Sequence, residues 1–190
     1  MSEWISGNRN LSSSEQEQNA RTFYEFFKGR GWSSQAICAM LGNIQVESSI
    51  NPGIWENLEP FAGGYGLVQW TPYTKYSEWA SERGLSWENN GDAECLRIIY
   101  ESENGLQWFS NPAAPIVDPP LSFEEFSKSE LDPDVLANYF LWYYEHPEDT
   151  NQPQRGKNAL AWFKLLDGGI TNTQLILLTL RKRRRKSPFC

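Results

Sequence analysis

Ser33-Ser34-Gln35-Ala36-Ile37-Cys38-Ala39-Met40-Leu41-Gly42-Asn43-Ile44-Gln45-Val46-Glu47-Ser48, closed by Asn51-Pro52-Gly53, is the stretch that decides the fold. Ser33 or Ser34 can cap a helix, because either hydroxyl can accept from a free N–H of the first turn. Ala36, Ile37, Met40, Leu41 and Ile44 then fall on one apolar stripe. The Asn-Pro-Gly triplet forces a turn and ends the helix near Ser48. Glu47 lies three residues after Ile44 and seven after Met40, so it continues the apolar stripe. Burial disfavours a charged carboxylate, and so does the negative end of a helix. Such a carboxyl is suited to hold a proton and donate it. From position alone, a helix-end Glu that simply bonds the backbone of the following turn is the favoured reading.

Working outward, residues 1–13 are polar and expected to be loose. A helix with Ala20, Phe23, Phe26 and Phe27 on one face spans Ser14 to Gly29. Residues 53–74 are rich in Gly, Pro and aromatics, and Tyr65 to Trp70 suggests a short hairpin or irregular β-loop. Helices follow at 74–83 and 91–104, and the proline-rich segment 111–120 reads as a loop. Asp132 caps a further helix with Pro133 at its first position, apolar or aromatic on every side up to Pro147. A last amphipathic helix runs from Pro153 to Leu166 and stops at Gly168-Gly169. The fold class is mainly α (α+β): a helical domain with a small irregular β-insert after the helix that bears Glu47. The expected organisation is a flexible end over 1–13, one domain over 14–167 and a basic tail over 168–190.

The chain has 190 residues and a net charge of −7. Arg181 to Lys186 supplies six cations, which leaves −13 on residues 1–180. An acidic body is a poor nucleic-acid binder, since phosphate contacts need clustered Lys and Arg. Cys38, Cys95 and Cys190 are odd in number, lack C-x-x-C spacing and fit neither a disulfide framework nor a zinc site. With a single histidine, His146, no metal or other cofactor is expected. The N-terminus has no apolar signal-like region, and no apolar run is long enough to span a bilayer. Nine Trp, eight Tyr and ten Phe exceed what a core of this size needs, so some rings are expected to line a groove that suits sugars.

Three blocks carry a family resemblance. Gln35 to Gly53, Gly64-Tyr65-Gly66-Leu67-Val68-Gln69-Trp70-Thr71-Pro72, and Tyr143-Tyr144-Glu145-His146-Pro147 with Asn151-Gln152-Pro153-Gln154-Arg155-Gly156 resemble, in order, the phage tail lysozyme family. More distantly, Glu47-Ser48 and Gly66-Leu67-Val68-Gln69 are similar to the Glu-Ser and Gly-Leu-Met-Gln signatures of goose-type lysozymes and lytic transglycosylases. Val68 stands where Met is usual. The resemblance implies a lysozyme-like fold in a virion tail protein, made in the host cytoplasm, that opens peptidoglycan so the genome can enter. Its partners would be peptidoglycan glycan strands and other phage tail proteins, with no nucleic acid and no membrane insertion.

The family's general acid falls on Glu47. Goose-type enzymes can place a carboxylate where Thr71 stands, so the second group is expected elsewhere. Glu145 is the candidate, and Glu56 is weaker. Ser48, Trp55, Tyr65, Gly66, Gln69, Trp70 and Tyr143 are the candidate substrate contacts, with Tyr73 a further stacking ring. Two rivals remain open: a cysteine hydrolase built on Cys38 and His146, and a wall-binding module without catalysis. A lytic transglycosylase would cut the same bond without a water-activating base.

The basic run should offset the acidic body near anionic wall polymers. Deleting residues 181–190 is expected to weaken wall binding at low salt and to change it little at high salt, where screening removes the effect. A pull-down on purified walls at both salt levels checks this.

Overall fold

The computed structural model describes residues 3–115 and 120–168. The apolar and basic stretches assigned to the tail lie outside these residues. The first helix, α1, spans Ser13–Lys28. Its start is a capping box: Ser12 Oγ accepts from Glu15 N–H, and the Glu15 carboxylate accepts from Ser12 N–H at 2.8 Å. Such a cap stabilises a helix by about 1 kcal/mol.

The second helix, α2, spans Ser34–Ser48, with Ser33 as its cap. It is buried on all sides rather than along one stripe: every residue from Ala36 to Ile44 is inaccessible. The reason is composition. Between Gln35 and Gln45 the only polar side chain besides the Cys38 thiol is Asn43, whose amide donates to Ala39 O and Ala137 O. After Ser48 the chain reverses through Ser49 (φ 55°) and Ile50 (φ 58°). A β-branched residue at positive φ is uncommon and costs about 1–3 kcal/mol. Full burial of Ile50 and a bond from Asn19 Nδ2 to Ile50 O hold it there. The same Asn19 pairs with the Ile5 backbone through two bonds, and Asn51 Nδ2 donates to Gly7 O and Arg9 O. Residues 3–12 carry no regular element, yet these bonds hold them against α1 and α2.

α3 (Thr74–Glu82) and α4 (Gly91–Glu103) fall within a residue or two of their expected bounds. The expected β-insert does not form as a strand ladder. Two isolated bridges, Trp55 with Tyr65 and Tyr65 with Trp70, are the pairings among the described residues. Asn57, Leu58, Phe61, Gly63, Gly66 and Gln69 all sit at positive φ, so no extended run survives there. A short helix, α5 (Phe123–Lys128), has no counterpart in the sequence reading. Its signal was the capping box Ser122 with Glu125.

The helix after Asp132 departs from expectation in its second half. α6 covers Pro133–Phe140, and Leu141–Glu145 continues as a π turn that ends on His146 (φ 50°). Outside partners meet carbonyls that the end of a helix leaves without an N–H. Phe109 N–H donates to Tyr143 O, and Gln107 Nε2 donates to Tyr144 O at 2.6 Å. The last helix, α7, spans Pro153–Leu166.

α7, α6, α1 and α5 pack around α2. The closest approach is at Gly42. A Cβ there would stand 2.4 Å from Arg155 O and 2.7 Å from Ala159 N. Only a residue without a side chain lets α7 lie this near, and the same approach carries Arg155 over the end of α2. Gly42→Ala is therefore expected to destabilise the domain by roughly 1–3 kcal/mol, the range for overpacking a filled core. Urea unfolding midpoints at constant m-value check it.

Candidate active site

A cleft of about 360 Å³ opens where the last turn of α2, the Val68–Thr71 loop, α4 and the π turn meet. Glu47, Gln69, Trp70, Glu101, Tyr144 and Glu145 line it, together with Lys75 and Gln107. Two carboxylates from distant parts of the sequence, Glu47 and Glu145, thus share one small space.

Glu47 is held from behind. Its Oε1 accepts from Arg155 Nη2 at 2.5 Å, and the Arg155 side chain is only 5% exposed. The guanidinium is fixed in turn: Nε donates to Gln152 Oε1 at 2.7 Å and Nη1 to Asn43 Oδ1 at 3.2 Å. A charge this buried needs its partner, since an unpaired buried ion costs several kcal/mol. The ion pair therefore ties the cleft to α2 and α7.

Glu145 is in the opposite situation. Its Oε1 is buried and without a hydrogen-bond partner. Burial pushes its carboxyl well above the usual range, and the neighbouring Glu47 charge adds to this. Arg155 pulls the other way, and Glu101 pushes up again. Like charges in one cleft resist full ionisation, so the pair retains a proton where isolated carboxyls would not.

Glu101 joins the walls. Its Oε2 accepts from Trp70 Nε1 at 3.0 Å and from Tyr144 Oη at 2.7 Å, while Oε1 pairs with Arg97 at 2.7 Å. Neither Glu101 nor Arg155 was singled out from sequence. Arg97 and Glu101 are an i,i+4 pair, a weak signal on its own. Arg155 sits in the block Asn151 to Gly156, but its partner is 108 residues away.

The remaining candidates separate into lining and support. Gln69 lines the cleft, with Nε2 donating to Gly66 O at 2.9 Å, and Trp70 lines it beside Gln69. Ser48 is buried, its Oγ 2.9 Å from Leu67 O, and clasps α2 to the loop. Gly66 (φ 76°) turns towards Glu94, not the cleft: a Cβ there would stand 2.6 Å from the Glu94 carboxyl. Trp55 and Tyr65 pack on each other at 4.6 Å, within a cluster that includes Phe61, Tyr73 and Trp87. Tyr143 lies stacked between Trp108 and Tyr139. Glu56 accepts from Gly64 N–H and closes its own loop. Most aromatic rings therefore build the core and the loop; of those expected to stack on sugar, Trp70 reaches the cleft.

The cysteine alternative has no site. Cys38 is fully buried, and burial pushes its thiol up, away from the reactive thiolate. His146 stacks on Phe109 at 4.1 Å with its Nε2 3.4 Å from Gln107 O. Among the described residues, no cluster of three or more His, Cys, Asp or Glu could hold a metal ion, and no helix is long and apolar enough to cross a membrane.

Residues 18–166 match the family described as phage tail lysozyme, and the chain belongs to that family. It is 44% identical over 175 residues to Morphogenesis protein 1 of Bacillus phage B103. That alignment covers 90% of this chain and 46% of the relative, so the chain spans about half the length of the curated protein it matches.

Glu94 is a separate support. It is fully buried, its Oε2 accepts from Leu67 N–H at 2.7 Å, and its Oε1 has no partner. Burial pushes its carboxyl well above the usual range. An acid raised on folding contributes its full stability below the ordinary carboxyl range. That contribution is lost as pH rises from there through the folded value. Glu94→Gln keeps an acceptor for Leu67 and cannot ionise. It is expected to raise stability at neutral and alkaline pH and to flatten the pH dependence, measured by thermal melts across pH.

Proposed function

We propose that residues 14–167 form a lysozyme-like muramidase domain that cleaves the β-1,4 bond between MurNAc and GlcNAc in peptidoglycan. Family membership supports a lysozyme-type activity, and the pairing of Glu47 with Glu145 in one cleft is the observation that carries the chemistry. Glu47 is the general acid. It gives its proton to the glycosidic oxygen as the bond from MurNAc C1 breaks, and GlcNAc leaves with a free 4-hydroxyl. Water adds at C1 and its proton returns to a carboxylate of the cleft.

A general acid must hold a proton beforehand and tolerate the anion it becomes. The buried Glu145 carboxyl, pushed well above the usual range, keeps a proton in the cleft for the first requirement. Arg155, already in contact, supports the second. Glu145 is the second group of the pair. Gln69 offers an amide edge and Trp70 a ring to the sugars, while Ser48, Trp55, Tyr65, Gly66 and Tyr143 support the loop and π turn that carry the cleft residues. The protein would act from a phage tail on the host wall, alongside other tail proteins, as the genome enters.

Glu47→Gln is expected to lower muropeptide release from purified peptidoglycan by about 100-fold or more, the usual contribution of a positioned acid. Mass analysis should find reducing ends; anhydro ends would assign a lytic transglycosylase instead. Equal inertness of wild type and variant, with wall binding retained, would replace the enzyme by a binding module.

A further inference from the structure

We infer that Arg155 is a positioning residue that decides which of the two cleft carboxyls carries the shared proton, leaving Glu47 ionised and Glu145 protonated in the empty cleft. The geometry is asymmetric. Glu47 Oε1 meets the guanidinium at 2.5 Å, whereas Glu145 Oε1 is buried with no partner. A proton placed on Glu47 would forfeit a charge-assisted bond, and a charge placed on Glu145 would leave its buried Oε1 without one. The guanidinium cannot swing to equalise them, because Gln152 and Asn43 hold two of its other nitrogens.

The other charged groups facing the pair do not change the sign. From α4, Glu101 adds negative charge but is neutralised by Arg97 at 2.7 Å. From α3, Lys75 lines the cleft. Tyr144, on the π turn, donates its hydroxyl to Glu101. The proton that Glu47 delivers is therefore stored on its neighbour. It must cross from the Glu145 carboxyl oxygen to a Glu47 oxygen, directly or through one water, before the glycosidic oxygen receives it. Carboxyl exchange of this kind is balanced: one O–H breaks, one forms, and the negative charge moves to Glu145.

The spectroscopic test does not depend on activity; only its kinetic arm rests on the muramidase reading. Carboxyl ¹³C signals of Glu47 and Glu145 are followed across pH in the free protein, in wild type and in Arg155→Met. Near neutral pH the wild type should show Glu47 ionised and Glu145 protonated. In Arg155→Met the pair should give up its protons at roughly 1–3 pH units higher, the effect of removing an adjacent opposite charge. Arg155→Lys should restore much of the difference. On peptidoglycan, the alkaline limb of the rate profile should move upward in Arg155→Met, which a purely structural role for Arg155 would not produce.

Unchanged signals in folded Arg155→Met would overturn the assignment, as would an ionised Glu145 in the wild type. If Arg155→Met does not fold, Glu145→Gln decides: the protonated carboxyl signal should vanish near neutral pH. Its persistence on Glu47 would overturn the assignment equally. If wild type releases no muropeptides while the signals behave as expected, the muramidase reading fails and the proton assignment stands.

Discussion

The contact on which the rest depends is the meeting of α2 and α7 at Gly42. A missing side chain lets two backbones touch, with Arg155 O and Ala159 N inside the space a Cβ would fill. That contact is steric, yet its effect is electrostatic. It brings the Arg155 guanidinium into a site where water cannot neutralise it, so the charge must find protein partners. Asn43, one residue after Gly42, and Glu47, one turn further on, supply them. The core and the cleft are thus one construction: Met40, Leu41 and Ile44 hold the helix in place, and the polar residues between and beyond them hold the arginine.

The cleft is assembled from pieces that have no reason to meet except through such buried polar bonds. Glu101 reaches both Trp70 and Tyr144, so the loop after α2 and the π turn are joined through α4. Glu94, about two turns earlier on the same helix, fixes Leu67 from below. One face of α4 therefore supports the loop with two acids of different character. One is satisfied by Arg97, Trp70 and Tyr144. The other is left half-satisfied, its carboxyl pushed up by burial.

Helices with strong periodicity and a stop signal could be read directly from the sequence. α1, α2, α3, α4 and α7 follow Ser, Pro and Gly punctuation that acts locally. The failures occur where distant partners decide. The helix after Pro133 reads as continuous until Pro147, but Leu141–Glu145 winds as a π turn whose Tyr143 and Tyr144 carbonyls are met by Phe109 and Gln107. The glycine-rich loop reads as a short hairpin or irregular β-loop, and its run of positive φ values leaves only bridges rather than a β-insert. In the cleft, Glu47, Glu145, Gln69 and Trp70 could be named from sequence. Arg155 could not, because its function exists only once α7 has docked, and nothing local marks an arginine in a first helical turn as an ion-pair partner.

The π turn has a consequence for how this surface can change. Its bond from His146 N–H to Leu141 O spans one residue more than an α-helical bond would. Hydrogen-bond registers come in whole residues, so the direction of Glu145 is set in steps and cannot be tuned gradually. Side-chain replacements along Leu141–Glu145 leave the register alone, whereas losing or gaining a residue rotates everything after it. In this stretch the number of residues is constrained more tightly than their identity.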